Sequence, residues 1–200
     1  MIITDISPYK GKTLCMTVTG RGSAKIYINT DIAAEHHLKK GMTITADELR
    51  GAIADNERRR CMEWALYLLD YRLRSRKELF DKLCTKYKKP VADAVCSRLE
   101  DEGVLDDRAY AEYLVNDMSK NRHYGVYRIK QELYRRGIDA DISAEVLTGT
   151  DTDEELLDLI RRRYADKLDS PDKVKSALAR RGYTYAQIKQ AIEVFRNADE

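Results

Sequence analysis

The sequence predicts a mainly α-helical chain of three tandem three-helix repeats in an elongated, curved array, preceded by a small segment containing a β-hairpin. Three observations lead there. Apolar pairs four residues apart recur in couples: Leu79/Leu83 with Val91/Val95, Ile129/Leu133 with Ile142/Val146, and Val174/Leu178 with Ile188/Ile192. A spacing of four puts both members on one helix face, and recurrence at roughly 45 to 50 residues marks a stacked helical repeat. Charged residues make up 35% of the chain and aromatics 8%, and only Pro90 and Pro171 follow residue 56, a composition suited to exposed amphipathic helices. Before about residue 50 the hydrophobic period is two rather than 3.6, which sets that segment apart.

In the first segment, residues 1–56, Leu14, Met16 and Val18 alternate with Cys15, Thr17 and Thr19, and Ile26 and Ile28 share a face after the turn residues Gly20 to Ser23. This is a β-hairpin, with a third strand expected from Ile2 to Ile6. A short helix near Asp31 to Leu38 and a break at Gly41 follow. Thr45 with Glu48 forms a capping box, so a helix begins there and either runs on or is interrupted near Gly51 before the long helix that holds Trp64.

The repeats are expected at 57–104, 105–150 and 151–200. Their helices read as 57–72, 75–87 and 90–102; 107–121, 125–136 and 140–148; 153–168, 171–181 and 184–197. Ser75 with Glu78, Thr152 with Glu155, and Thr184 with Gln187 repeat the capping-box spacing, and Ser170 before Pro171 reads as an N-cap followed by proline at the first helical position. Asp106 or Asp107 is placed to cap the next helix. Gly137 and Gly182 follow Arg135/Arg136 and Arg180/Arg181, the pattern of a basic last turn closed by a left-handed glycine.

Charge is nearly balanced, at a formal net +2. By segment the basic and acidic counts are 7 and 6, 12 and 9, 7 and 8, and 10 and 11, so only the first repeat is modestly basic. A chain that held nucleic acid chiefly by neutralising phosphates would carry a clearly basic domain, and a partner protein is therefore at least as strong a candidate. Cys15, Cys61, Cys84 and Cys96 have no CxxC spacing and imply neither a metal nor a disulfide framework. The longest apolar run, Ala65 to Leu69, is too short to span a bilayer, so a cytoplasmic monomer without membrane attachment is expected.

No catalytic constellation is present in the sequence, and neither an enzyme nor a cofactor is expected. The GRGSAK string at Gly20 to Lys25 lacks Walker spacing and leads into a strand, so it reads as a hairpin turn. Adjacent His36 and His37 diverge by about 100 degrees on a helix and cannot easily share a metal, and His123 reads as a surface loop residue. The acidic run around Gly103 is a helix junction.

What recurs is basic charge. Arg72, Arg74, Arg76 and Lys77 cluster at the turn into the second helix of repeat one; Arg122, Arg128, Lys130, Arg135 and Arg136 flank or decorate that helix in repeat two; Lys173, Lys175, Arg180 and Arg181 do so in repeat three. In a stack held in register they form a discontinuous cationic ridge. Tyr67, Tyr71, Tyr110, Tyr113, Tyr124, Tyr127, Tyr134 and Tyr164 lie beside the apolar stripes and are expected at the core or its edge.

Four strings carry a resemblance: ALYLLDYRLRSRKELFDKL from Ala65, LDDRAYAEYL from Leu105, GVYRIKQELYRRGI from Gly125 and KVKSALARRGY from Lys173. In this order, over roughly residues 57–197, the chain closely resembles the RecX regulatory proteins of bacteria. The resemblance implies tandem three-helix repeats and a modulator, usually an inhibitor, of the RecA recombinase, lying in the groove of the RecA–DNA filament. DNA, single-stranded or within the filament, is a further partner it implies. Arg72, Arg74, Ser75, Glu78 and Leu79 match the first-repeat motif; Asp106, Asp107, Tyr110, Ala111, Gly125, Ile129, Leu133, Gly137 and Ile138 the second; Leu178, Arg181, Gly182 and Tyr183 the third. The chain departs from the family at Asn116 and Asp117, where relatives are often more basic, and at Lys88 to Pro90, which replace a helix-ending glycine. The alternative reading is a nucleic-acid-binding module built of helix-turn-helix-like repeats.

Overall fold

A computed structural model describes residues 1–168 and 171–198. Its elements in chain order are β1 (Ile2–Lys10), β2 (Thr13–Thr19), β3 (Ser23–Asn29), α1 (Thr30–Glu35), α2 (Ala46–Tyr71), α3 (Arg76–Leu83), α4 (Lys89–Asp101), α5 (Asp107–Asn116), α6 (Val126–Arg135), α7 (Ala140–Leu147), α8 (Asp153–Arg163), α9 (Pro171–Arg180) and α10 (Tyr185–Ala198). A single π turn, Asp117–Asn121, extends α5, and a 3-10 turn, Ala165–Lys167, follows α8. The chain divides into two compact units, one of Met1–Tyr71 with Lys82–Arg98, the other of Arg72–Asp81 with Leu99–Glu200.

In the first unit the three strands form an antiparallel sheet in the order β1-β2-β3. Ile3, Met16, Val18 and Ile28 point to one face and are buried with Ile32 and Ala33 of α1 and Ala52 of α2. Strand β1 runs four residues beyond its expected end because it is an edge strand, where Pro8 withholds no hydrogen bond that the ladder needs. Asn29 caps α1 by accepting the Asp31 N–H at 2.8 Å. Thr45 and Glu48 form the expected reciprocal box at the start of α2, which then continues through Gly51 without a break. Cys61 and Cys96 are buried, and burial, with the Glu57 carboxylate, pushes the Cys61 thiol up to about 11, so it packs as a small hydrophobe.

In the second unit two cores are built by the same rule. Ile129 and Leu133 of α6 are buried among Tyr110, Ala111, Leu114 and Val115 of α5 and Ile138. Val174 and Leu178 of α9 are buried among Leu156, Leu159 and Ile160 of α8 and Ile188, Ala191 and Ile192 of α10. Asp106 caps α5 through the N–H groups of Arg108 and Ala109, and Thr184 with Gln187 makes its box at α10. Thr152 does not: its ψ of 14° is not extended, its hydroxyl is buried with no partner among the described residues, and Asp151 accepts the Asp153 N–H instead. Ser170 lies outside the described residues. No helix among the described residues is long and apolar enough to cross a membrane.

Two side-chain expectations fail. Tyr67, Tyr71, Tyr113, Tyr127 and Tyr134 are well exposed: Tyr113, Tyr127 and Tyr134 lie across the helix from the buried stripe, and Tyr71 ends α2; Tyr110 alone of the eight is fully buried. His123, expected on the surface, is half-buried: at a left-handed φ of 50° it has a buried Nδ1 with no partner among the described residues and holds Nε2 at 3.5 Å from Asp158.

The sheet and α2 are joined at one polar point. Asn56 is buried, accepts the Asn29 N–H at 2.8 Å and donates to the Tyr27 carbonyl at 3.1 Å. Asn56→Ala leaves a buried N–H unsatisfied, and urea unfolding should show a loss of about 1–3 kcal/mol.

Candidate functional site

Within the second unit the start of α3 meets the end of α6, and the start of α6 meets the end of α9. At the first junction the Ser75 hydroxyl, at the start of α3, donates to the Arg136 carbonyl at the end of α6 at 2.6 Å. Gly137 follows with φ +75°, and a Cβ there would lie 2.4 Å from the Lys77 side chain. At the second junction the Gly125 N–H, at the start of α6, donates to the Arg181 carbonyl at the end of α9 at 3.0 Å, and the Tyr127 N–H donates to the Gly182 carbonyl at 3.2 Å. A Cβ on Gly125 would sit 2.3 Å from the Gly182 carbonyl oxygen, and one on Gly182, at φ +93°, 2.3 Å from the Arg128 backbone nitrogen. Each junction therefore joins the carbonyl-rich end of one helix to the N–H-rich end of another, so the unpaired groups of two helix termini satisfy one another.

The first junction is reinforced by a polar knot on Glu78. Its carboxylate accepts from Arg72 at 3.2 Å, from the Tyr110 hydroxyl at 3.0 Å, from the Ser75 N–H at 3.3 Å and from Arg136 at 3.4 Å. Arg136 also bonds the Tyr110 hydroxyl and reaches Glu132 at 2.7 Å. Burial pushes the Glu78 carboxyl up, but the hydrogen bonds of Arg72 and Tyr110 and the charge of Arg136 outweigh it and hold it below the usual carboxylate range. The hydrogen bond from Arg135, with help from Arg136, draws Glu132 down to about 2. Asp107 accepts the Arg76 N–H at 2.7 Å and so caps α3 across a long stretch of chain; burial raises its carboxyl.

The second junction is reinforced by arginine on aromatic. The guanidinium groups of Arg181 and Arg128 lie 5.4 and 5.8 Å from the centre of the Tyr124 ring, and Arg181 donates to the Arg122 carbonyl at 2.9 Å.

The structure thus gathers most of the sequence-predicted cations at two places. Arg72, Arg74, Arg76 and Lys77 meet Arg135 and Arg136 at the first junction; Arg122 and Arg128 meet Arg181 at the second. Many are engaged internally: Arg76 with Glu100 at 2.9 Å, Lys77 with Asp81 at 2.8 Å, Arg122 with Asp117 at 2.9 Å, and Arg135 and Arg136 with Glu132. Burial, with the like charge of Arg72, pushes the Arg74 guanidinium down. Lys175 lies against Asp172 and Tyr185, one turn or more from the junction. Lys130, Lys173 and Arg180 are exposed and pair with no carboxylate among the described residues. An open cavity of about 410 Å³ is lined by Arg72, Tyr110, Tyr113, Asp117, Arg122 and Arg136.

Between the two junctions lies α6, whose outward face carries Tyr127, Lys130 and Tyr134. The two rings are 63% and 83% exposed, and a spacing of seven puts them on one face. These tyrosines, expected at the core edge, lie instead across the helix from Ile129 and Leu133; the signal for this is the four-residue spacing of the apolar pair, which fixes the buried face and leaves Tyr127 and Tyr134 about 120 to 140 degrees away from it.

Models of the first and second three-helix domains of RecX match residues 61–99 and 106–147. The regulatory protein RecX of Chlorobium phaeobacteroides (strain BS1) is 30% identical over 151 residues, which covers 72% of this chain and 100% of that protein. The chain belongs to the RecX family. The regulatory protein RecX of Clostridioides difficile (strain 630) is 28% identical over 207 residues, 100% of this chain and 98% of its own. A crystal structure of a regulatory protein RecX has the same fold, with a TM-score of 0.73 over 96% of this chain and 98% of that one at 19% identity. RecX membership assigns the chain a regulatory role, and Ser75, Glu78, Tyr110, Gly125, Gly137 and Gly182 all stand at the junctions.

Gly125→Ala has no room at the second junction and should lower stability by about 1–3 kcal/mol in urea unfolding, whereas alanine at Gly22, which faces open space, should not. A second expectation concerns acid. Glu132 and Glu78 have folded-state values below their unfolded ones, so their stabilisation is present above about pH 4.3 and is lost as pH falls toward the folded values. Glu132→Gln should therefore flatten the dependence of melting temperature on pH between about pH 5 and 2 relative to the parent chain.

Proposed function

We propose that this regulator binds the RecA–DNA filament and holds down its recombinase and ATPase activities, and that it does so through the outer face of α6 and the cationic helix junctions at either end of it. The observation that carries the reading is the exposed row Tyr127, Lys130 and Tyr134 bracketed by two arginine-rich junctions of the same construction. Exposed tyrosine beside cations is the composition of protein-binding hot spots, where a rigid ring supplies area and a guanidinium supplies direction. Helix α6 has ten residues and so separates the junctions by about 15 Å. Repeated contacts of this kind suit a polymer whose subunits also repeat, because weak contacts made together add through effective concentration. The division into modules at 57–104, 105–150 and 151–200 belongs to the same proposal.

The internal ion pairs decide which cations are informative to change. Alanine at Arg72 or Arg136 removes a donor from the Glu78 knot, and alanine at Arg76 breaks its pair with Glu100, so loss of function there would report on folding as much as on contact. Lys130, Lys173 and Arg180 have no such duty among the described residues. Joint replacement of these three by alanine should weaken cosedimentation with assembled RecA filaments, and the accompanying inhibition of ATP hydrolysis, by about tenfold, with the melting temperature unchanged. Full inhibition by the triple variant would remove the surface from consideration. Equal retention of the parent chain on filaments and on DNA alone would favour the bare nucleic-acid-binding module instead, with its steep loss of affinity in salt.

A further inference from the structure

The outer face of the N-terminal sheet carries two tyrosines, Tyr9 and Tyr27, and two lysines, Lys10 and Lys25, among small polar side chains. Residues opposite one another across the ladder share a face, so Tyr27 with Cys15 and Lys25 with Thr17 point away from the buried Met16 and Ile28. On the other edge strand the register shifts between Pro8 and Lys10. Such a bulge turns a side chain out of its ordinary alternation, and here it sets Lys10 opposite Thr13 on the outer face, next to Tyr9, whose ring lies 4.7 Å from the Tyr27 ring. The two rings are 62% and 44% exposed and border an open groove of about 420 Å³ whose far wall is Arg60 and Glu63 of α2. Glu63 is itself held by Arg59 at 3.2 Å.

The charge is equally one-sided. Residues 1–30 contain four basic groups, Lys10, Lys12, Arg21 and Lys25, and one acid, Asp5. All four cations are exposed, and none forms an ion pair among the described residues; Asp5 is engaged by Lys40 at 3.7 Å.

We propose that this face binds single-stranded nucleic acid, with bases stacked on Tyr27 and Tyr9 and phosphates on Lys10, Lys25 and Arg60. A flexible strand is the occupant that fits, because two exposed rings need a free base face and a duplex has none to give, while unpaired lysines along the strands suit a backbone of regular negative charge. The site lies in the first compact unit and uses none of the residues proposed for the filament, so each can fail without the other.

The test is fluorescence anisotropy of a labelled short oligothymidylate with the full chain, from about 50 to 200 mM salt. Tyr9→Leu with Tyr27→Leu keeps apolar bulk on the sheet and should weaken binding about tenfold or more, and Tyr→Phe at both positions should retain it. Lys10→Ala with Lys25→Ala should reduce the slope of log affinity against log salt by about 1.4. The Lys130, Lys173 and Arg180 triple variant should bind the oligonucleotide like the parent chain. Unchanged affinity in the double leucine variant at an unchanged melting temperature, equal competition by duplex of the same length, or no binding by the parent chain at the lower salt would each overturn the assignment.

Discussion

A helix ends with carbonyls that nothing in the helix can satisfy and begins with N–H groups in the same condition. In the second unit of this chain those two deficits are placed against each other twice, α6 against α3 and α9 against α6, and the positions of the surrounding residues follow from that. The arrangement demands close approach, and close approach demands glycine: Gly125 and Gly182 sit where any Cβ would enter the opposing backbone. It also explains the basic last turns. Arg135, Arg136 and Arg181 stand at carbonyl-rich ends, where positive charge is favoured, and from there Arg136 and Arg181 reach across to the neighbouring helix.

The two junctions solve one problem by different chemistry. At the first, a serine hydroxyl bridges to the carbonyl, and a carboxylate gathers four donors around it. At the second, glycine removes the side chain altogether, so the backbone N–H bonds the carbonyl directly, and arginines stack on Tyr124 where the first junction has Glu78. A carboxylate-centred knot weakens in acid, whereas stacked guanidinium groups keep their charge across the accessible pH range. Acid should therefore loosen the α3–α6 contact before the α6–α9 contact, although both are built on the same backbone geometry.

How much of this was legible depends on how far apart the interacting residues lie. The i, i+4 apolar pairs and the boxes at Thr45, Ser75 and Thr184 are local, and their spacing alone announces them. Thr152 has the same spacing yet fails, because its backbone is turned away from the extended conformation that an N-cap needs, and nothing in four residues of sequence records that. The junction bonds join residues about sixty apart, such as Ser75 with Arg136, and no pattern marks them beforehand. The tyrosines were misplaced for a related reason: a ring next to an apolar stripe in sequence is a full helix face away from it in space when it falls one residue outside the stripe. The cationic positions were legible as residues but not as roles, since a guanidinium closing a helix junction and one free to meet a partner look alike in a string of letters.

That distinction bears on the near-neutral total charge. Beyond residue 30 the chain holds 32 basic and 33 acidic groups, and at the first junction many of the cations meet carboxylates of their own unit at hydrogen-bonding distance. Charges neutralised in this way are screened from a partner whatever their number, so the net figure understates how unevenly accessible charge is distributed. Among the cations that keep no carboxylate partner within the described residues, Lys130 lies on the α6 face that carries exposed Tyr127 and Tyr134, and Lys10 and Lys25 lie on the sheet face that carries exposed Tyr9 and Tyr27. Charge spent on the scaffold and charge offered to a partner therefore do different work: the paired cations of the first junction fix α3 against α6, while unpaired cations with aromatic neighbours give direction to binding.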